Sequence, residues 1–406
     1  MQVEYVKGMP YFSGIKKIKQ FPYLNKPLKC DIVVVGGGID GAITLYYLAK
    51  NHYNYILVDR SRLGLNCTSV ATALLEYQLD DNADVLKKCM TEKEIVEAYK
   101  LNLMGLNMLK DFVSKTGNHC NYYSRDTLTF VSEKADETDL LNEFEFRKKH
   151  GFNVKLFNEF NHPYNFDFKT GLLSIDGGAE ANPYLLTKQL ITESVKLNAK
   201  VFENTEVVDF VKENGKIKVV TNFEIPIECE KIVCSTGYNT SLFTQKQLCN
   251  KFVSYSIVTN KLSNFKWHKK TLLQDCLDPY HYIRMLPDNR IIIGGEDTPF
   301  KNNTIDEKLA EQKYLKLFDF LLQLFPSLSE QVKIDYKFCG AFSSTKNNLG
   351  IVGKDDEKDF LFYNLGYGAN GIVNSFVGAD IIIKQLKNIA TPYQYLFDVN
   401  RKNGLI

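Results

Sequence analysis

The stretch Asp31-Ile32-Val33-Val34-Val35-Gly36-Gly37-Gly38-Ile39-Asp40-Gly41-Ala42, closing at Tyr55-Ile56-Leu57-Val58-Asp59, decides the fold. The apolar run Ile32 to Val35 suits a strand buried on both faces. Gly36-x-Gly38-x-x-Gly41 then turns the chain into a helix whose free N–H groups can meet a pyrophosphate. Gly36 permits the tight turn, Gly38 lets the backbone approach the phosphates, and Gly41 lets helix and strand lie close together. Ile39 and Asp40 open the helix, with Asp40 expected to turn its carboxylate away from the phosphates, which it would repel. Asp59 ends a second apolar strand, where an acid can accept hydrogen bonds from ribose hydroxyls. Strand, glycines, helix, strand and terminal acid in this order point to an adenine dinucleotide. At this point NAD and FAD both remain open.

The 406 residues suffice for two domains. Fifty Lys and Arg against 48 Asp and Glu leave a formal charge of +2, so no global field favours nucleic acid. The basic cluster Lys16-Lys17-Ile18-Lys19 reads as a solvated stretch. No apolar run is long enough to span a bilayer, and Met1 to Gly14 lacks the pattern of a signal peptide, so a cytoplasmic location is expected. Nine cysteines are scattered without a Cys-x-x-Cys pair, and six histidines are equally dispersed. Reduced thiols and no metal site are the expectation.

Along the chain, residues 1–30 read as an irregular arm and 83–115 as a helical segment. Leu128 to Val131 reads as a short strand and Glu137 to Lys149 as a charged helix. The glycines of 171–183 mark a crossing between domains, followed by a helix from Tyr184 to Leu197 with Pro183 near its start. Asn214-Gly215 sets a hairpin, and Lys231 to Cys234 is a buried strand running into Ser235-Thr236-Gly237. Strands from Ser254, Tyr280 and Arg290 belong to the second domain, with a helix from Ile305 to Leu324. The tail carries Phe360 to Asn364, then Gly366-Tyr367-Gly368-Ala369-Asn370-Gly371 and a helix from Val373. The expected fold is α/β: a Rossmann-like dinucleotide-binding domain (1–82, 171–240 and 335–406) with a second, α+β antiparallel-sheet substrate domain (83–170 and 241–334).

Four separated segments resemble the D-amino-acid oxidase superfamily of flavoproteins, in its glycine oxidase and sarcosine oxidase-like part. The first is the dinucleotide motif continued by Arg60 and by Leu63 to Asp80, including Thr68, Ser69, Thr72, Ala73 and Leu74, similar to the loop that leads toward the flavin ring. Its Thr-Ala-Leu-Leu-x-Tyr-x-x-Asp run resembles a bacterial branch. The others are Asn204 to Val207, similar to the adenine-contacting strand; Val233 to Gly237, similar to the strand end beside the phosphates; and Thr345 to Gly353 with Gly368 to Ile372, similar to the C-terminal flavin-binding region. The resemblance implies FAD, held noncovalently because Gly340 stands where sarcosine oxidase attaches its flavin. It implies a helix N-terminus at Gly371 facing the pyrimidine end of the ring, where reduced flavin carries negative charge.

Departures bear on the substrate. The position of the carboxylate-binding arginine of glycine oxidase corresponds to Phe342, and the basic residues of sarcosine oxidase fall near Glu76 and Val373. Amino-acid oxidation needs a cation for the carboxylate, whereas Glu76 attracts a cationic amine. Arg284 is the candidate ligand for a substrate anion, and His281, Tyr77 and Glu76 are further candidate catalytic residues. The expected function is oxidation of a small amine or amino-acid derivative by hydride transfer to flavin N5, with oxygen or another acceptor restoring FAD. A hydroxy-acid or polyol dehydrogenase of the glycerol-phosphate type, and a catalytically silent flavin-binding subunit, are the alternatives. The oligomeric state and the electron acceptor stay open.

Overall fold

The computed structural model describes residues 3–14, 20–132, 137–401 and 405–406; the cluster at Lys16 to Lys19 lies outside them. A six-stranded sheet has the order Ile351–Lys354, Leu361–Leu365, Lys231–Cys234, Ile32–Val35, Tyr55–Val58, Lys200–Phe202. Its pairings are parallel except for the antiparallel edge strand Ile351–Lys354. Alternation sends Ile32, Val34 and Leu57 to one face, against helices Ile39–Lys50, Pro183–Lys196 and Gly371–Leu386. Val33, Val35, Ile56 and Val58 go to the other, against Ile217, Val219 and Ile227 of a small four-stranded sheet. Both faces are covered, which is why these strands read as unbroken apolar runs.

The second layer is a ten-stranded sheet. Its middle strands are Asn250–Thr259, Ile291–Pro299, His281–Met285, Leu272–Asp275, Tyr123–Val131 and Thr170–Glu180. Leu74–Glu76 closes one edge, and Ile334–Ser344 pairs with Asn250–Thr259 near the other. Three of these strands, Leu74–Glu76, Thr170–Glu180 and Ile334–Ser344, come from segments assigned above to the dinucleotide-binding domain. One face buries Leu128, Phe130, Leu273, Ile283, Ile293 and Ile257 beneath helix Glu307–Leu324. The opposite face is more polar and fronts the cavity described below.

Readings of single segments also need correction: residues 1–30, read as an irregular arm, hold strands Val6–Gly8, paired with Ile334–Ser344, and Leu28–Lys29, paired with Pro226–Cys229. The helical segment 83–115 is two helices, Ala83–Leu86 and Glu92–Thr116. Thr91 starts the second with a capping box, its hydroxyl accepting from Glu94 N and the Glu94 side chain returning to Thr91, so the chain breaks where both reciprocal caps are satisfied. The glycine-rich crossing at 171–183 is largely the eleven-residue strand Thr170–Glu180; Gly178 lies so close to Thr127 and to the Leu75 carbonyl that a side chain there would collide. The helix that follows starts where expected, with Asn182 capping Leu185 N and Pro183 in the first turn.

Candidate active site

An elongated cavity runs from the carboxyl ends of strands Ile32–Val35, Tyr55–Val58 and Lys231–Cys234 to the polar face of the large sheet, the position where open α/β sheets bind ligands. At the first end, Gly36 has φ +109° and lies against the Ser235 carbonyl. A Cβ on Gly41 would sit 1.8 Å from the Gly36 carbonyl oxygen, so helix and turn can touch only through glycine. The Thr68 hydroxyl accepts from Ile39 N at 3.1 Å. Asp59 accepts from Gly37 N at 2.6 Å and Ser61 N at 2.7 Å. Its carboxylate thereby fixes the turn, and burial, against these hydrogen bonds, raises its pKa. Asp40 turns toward the C-terminal helix, accepting from Ser375 Oγ at 2.6 Å and Gly366 N at 3.2 Å, and burial pushes its carboxyl up to about 6.

Gly36, Gly38, Ile39, Asp40, Asp59, Arg60 and Thr68 line this cavity, as do Thr72, Ala73, Leu74, Val207, Ser235, Thr236, Gly237 and Gly340. Gly368, Ala369, Asn370, Gly371 and Ile372 line it from the C-terminal segment. Gly41 and Ser69 do not line it: Gly41 faces the Gly36 carbonyl, and the Ser69 hydroxyl is spent on the carbonyls of Leu65 and Asn66. The residues fit a dinucleotide. The buried Ser235 hydroxyl has no partner, a group that a polar ligand at the glycine turn would satisfy. Asn370 precedes helix Gly371–Leu386 and ties it to the segment 76–78, accepting from Glu76 N at 2.9 Å and donating to the Gln78 carbonyl at 2.7 Å.

Toward the large sheet the walls become aromatic and acidic. Tyr5, Tyr238 and Tyr367 line one side, with Tyr238 stacked on Tyr367 at 5.8 Å. Tyr282, Ser254 and Gln274 come from the sheet, as does Phe342, which packs on Phe252, and Tyr280 lies just before strand His281–Met285. Tyr282 lies across Gly294, where any side chain would strike its ring, and meets Ser254 Oγ at 2.9 Å. Glu76 and Asp80 are the acids at this end. Burial pushes Glu76 up to about 7, opposed by Arg147 and reinforced by Asp80. Burial also pushes Asp80 up to about 7, against its hydrogen bond from Ala369 N. Behind Tyr280 and Ser254, burial raises Asp297 to about 6. Among the described residues, Arg60, beside Asp59, is the one cationic side chain on the cavity wall.

Three of the four candidate catalytic residues lie elsewhere. Arg284 is 1% exposed and held by buried partners: Nη1 reaches Glu180 Oε2 at 2.7 Å, while Nε and Nη2 donate to the Thr72 carbonyl. Nη2 also donates to the Ala181 carbonyl at 3.0 Å, so the side chain braces the segment at Thr72 from behind and is absent from the cavity wall. His281 points to the helix side, bonded to Asp275 at 2.7 Å and stacked on Phe320 at 4.0 Å. Tyr77 is stacked on Phe152 in the helical core. Only Glu76 reaches the cavity. The sequence reading missed Tyr5, Tyr238, Tyr280, Tyr282, Tyr367, Gln274 and Asp80; of these, Tyr238 and Tyr367 directly adjoin the glycines that were identified.

The fold and the cavity are those of a dinucleotide-binding protein with a second large sheet over the ligand end. The family model described as DAO, FAD dependent oxidoreductase, matches residues 31–385, and the chain belongs to that family. It is 23% identical over 404 residues to gamma-glutamylputrescine oxidoreductase of Escherichia coli, covering 94% of this chain and 89% of that protein. It is 21% identical over 383 residues to glycine oxidase of Bacillus subtilis, covering 92% and 98%. The crystal structure of glycine oxidase from Geobacillus kaustophilus superposes with a TM-score of 0.79 at 18% identity, covering 92% of this chain and 99% of that one; this likeness shows the fold. No described helix is long and apolar enough to cross a membrane.

Proposed function

We propose that the protein oxidises a small cationic amine that carries no carboxylate next to the nitrogen, using noncovalently bound FAD. The observation that carries this reading is the charge of the cavity wall: Glu76 and Asp80 line it, and among the described residues the one lining cation is Arg60, next to Asp59 at the glycine-turn end. A buried carboxylate without a paired cation is costly, whereas an ammonium ion is favoured beside ionised acids and tyrosine faces. The names of two relatives, gamma-glutamylputrescine oxidoreductase and glycine oxidase, support amines and amino acids as the substrate range of similar chains. The withdrawal of Arg284 from the cavity and the presence of Phe342 on its wall favour the amine over the amino acid. The same lack of cations disfavours a phosphorylated polyol.

FAD, when bound, supplies a two-electron acceptor for the hydride of the substrate C–H bond. The chain's part is to place and orient. The glycine turn, Thr68 and the first helix would hold the dinucleotide, Gly340, which the resemblance puts at the covalent-attachment position, would leave the ring unlinked, and the Gly371 helix N-terminus would stabilise negative charge. Tyr280, Tyr282 and Phe342 wall the substrate space and exclude water, so that positioning accounts for much of the rate. The test is anaerobic mixing of the holoenzyme with amines, amino acids and hydroxy acids while the flavin absorbance is followed. Bleaching by amines is expected; bleaching by hydroxy acids alone would overturn the reading, and no bleaching at all would favour a flavin-binding subunit.

A further inference from the structure

We propose that Glu76 is the proton acceptor for an amine that binds as its ammonium ion, and that Gln78 and Arg147, neither of which reaches the cavity, are its positioning residues. The inference rests on the amine reading above. Glu76 ends strand Leu74–Glu76, is 5% exposed and lines the cavity. Its main-chain N–H is held by Asn370 at 2.9 Å, which fixes the strand end against the C-terminal helix. Gln78 Nε2 donates to Oε2. Among the described residues no donor is present on Oε1.

The donor on Oε2 is itself fixed. Gln78 Oε1 accepts from Arg147 Nη1 at 2.7 Å, which sets the amide so that its N–H side meets Glu76. Arg147 is oriented by Glu143 Oε1 at 2.6 Å and Ser174 Oγ at 3.2 Å. Glu143 also accepts from Tyr99 OH at 2.9 Å and Ala83 N at 2.7 Å. A continuous chain of committed donors thus runs from helix Thr138–Lys149 to one oxygen of Glu76 and leaves the other open to the cavity. Such a chain favours the ionised acid, and the buried Arg147 charge acts in the same direction. Burial and Asp80, on the loop that follows the strand, act against it; Asp297 faces Asp80, and Tyr77 and Tyr99 face Arg147. The balance leaves Glu76 titrating at about 7, a value suited to proton exchange near neutrality.

In the step itself an N–H bond of the ammonium breaks, its electron pair stays on nitrogen, and the proton forms an O–H bond on Glu76 Oε1. The amine is left neutral, with the lone pair that its oxidation requires.

The test uses the holoenzyme and tert-butylamine, which has no hydrogen on the carbon bearing nitrogen and so cannot be oxidised. Its affinity is read from the flavin absorbance shift across pH, and proton release from calorimetry in two buffers of different ionisation enthalpy. In the native protein the affinity should rise about tenfold per pH unit up to about 7 and then level, with about one proton released per ligand on the acid side. Glu76→Gln should abolish both the slope and the release, and Glu76→Asp should restore them. Gln78→Met should move the break to higher pH and Asp80→Asn to lower pH, with flavin occupancy and circular dichroism reporting folding. An unchanged slope and proton count in Glu76→Gln would overturn the proposal, and an unmoved break in Gln78→Met would overturn the positioning part. If amines still bleach the native flavin in those cases, the inference fails alone; if no amine does, the amine reading falls with it.

Discussion

Arg284 donates twice to the carbonyl of Thr72, from Nε at 3.0 Å and Nη2 at 2.7 Å, and so fixes from its far side the segment Thr72–Leu74 that lines the cavity. The next residue, Ala73, has φ +51°, a conformation that a non-glycine residue adopts only when its surroundings impose it. Glu180 completes the arrangement by pairing with both Arg284 and Arg125, at 2.7 and 2.6 Å.

Arg284→Met should therefore lower stability and flavin retention together. Removing one partner of a buried ion pair costs about 3 kcal/mol, and the loop loses its anchor at Thr72. Denaturant unfolding and the FAD dissociation constant would report this. A variant that kept its FAD and stability but lost substrate affinity would return Arg284 to the substrate site.

Gly41→Ala should abolish flavin uptake with little change in the distant sheet. The new Cβ would lie 1.8 Å from the Gly36 carbonyl oxygen, forcing the helix from the turn that the phosphates use. Protein purified colourless yet cooperatively folded is the expected outcome, judged by absorbance and thermal melting.

Gly294→Ala should spare the flavin and change the substrate. The added methyl would meet the Tyr282 ring at 2.4 Å, pushing that ring into the cavity. KM should rise by about tenfold or more, a loss of one good packing contact, while FAD affinity is unchanged.

Stability of the apoprotein should fall as pH rises from the usual carboxylate range to about 7. Glu76 and Asp80 are both raised to about 7 in the fold, so between their unfolded and folded pKa values the native state binds more protons than the unfolded one. Their stabilising contribution is full at acid pH and is lost through neutrality. Thermal melts at a series of pH values would show this slope, and Asp80→Asn should flatten it and raise the Tm at neutral pH.

Much of the dinucleotide end was legible because it is written locally. A strand buried on both faces, a glycine turn and a helix start each need particular residues within a few positions. The substrate end depends on which face a residue occupies and how far along that face it stands. Strand alternation puts Tyr282 and Arg284 on one face and His281 with Ile283 on the other. His281 is thus paired with a core isoleucine and turned to the helix layer, a signal that was present but unused. Arg284 has the cavity-side parity but lies one repeat past Tyr282, beyond the cavity and against Phe12. The same alternation separates Glu76 and Gln78 from Tyr77, which joins Leu75 in the helical core. What alternation could not supply is the contact of Gln78 with Arg147, separated by 69 positions in the chain.

The central claim is that the cavity selects an amine without a neighbouring carboxylate. The most direct measurement is the rate of anaerobic flavin reduction by a matched pair, a primary amine and the same amine bearing an α-carboxylate. The acidic wall formed by Glu76 and Asp80 predicts that the simple amine reduces the flavin at least about a hundredfold faster, the consequence of a buried carboxylate left without a partner. Faster reduction by the α-carboxylate compound would contradict the account.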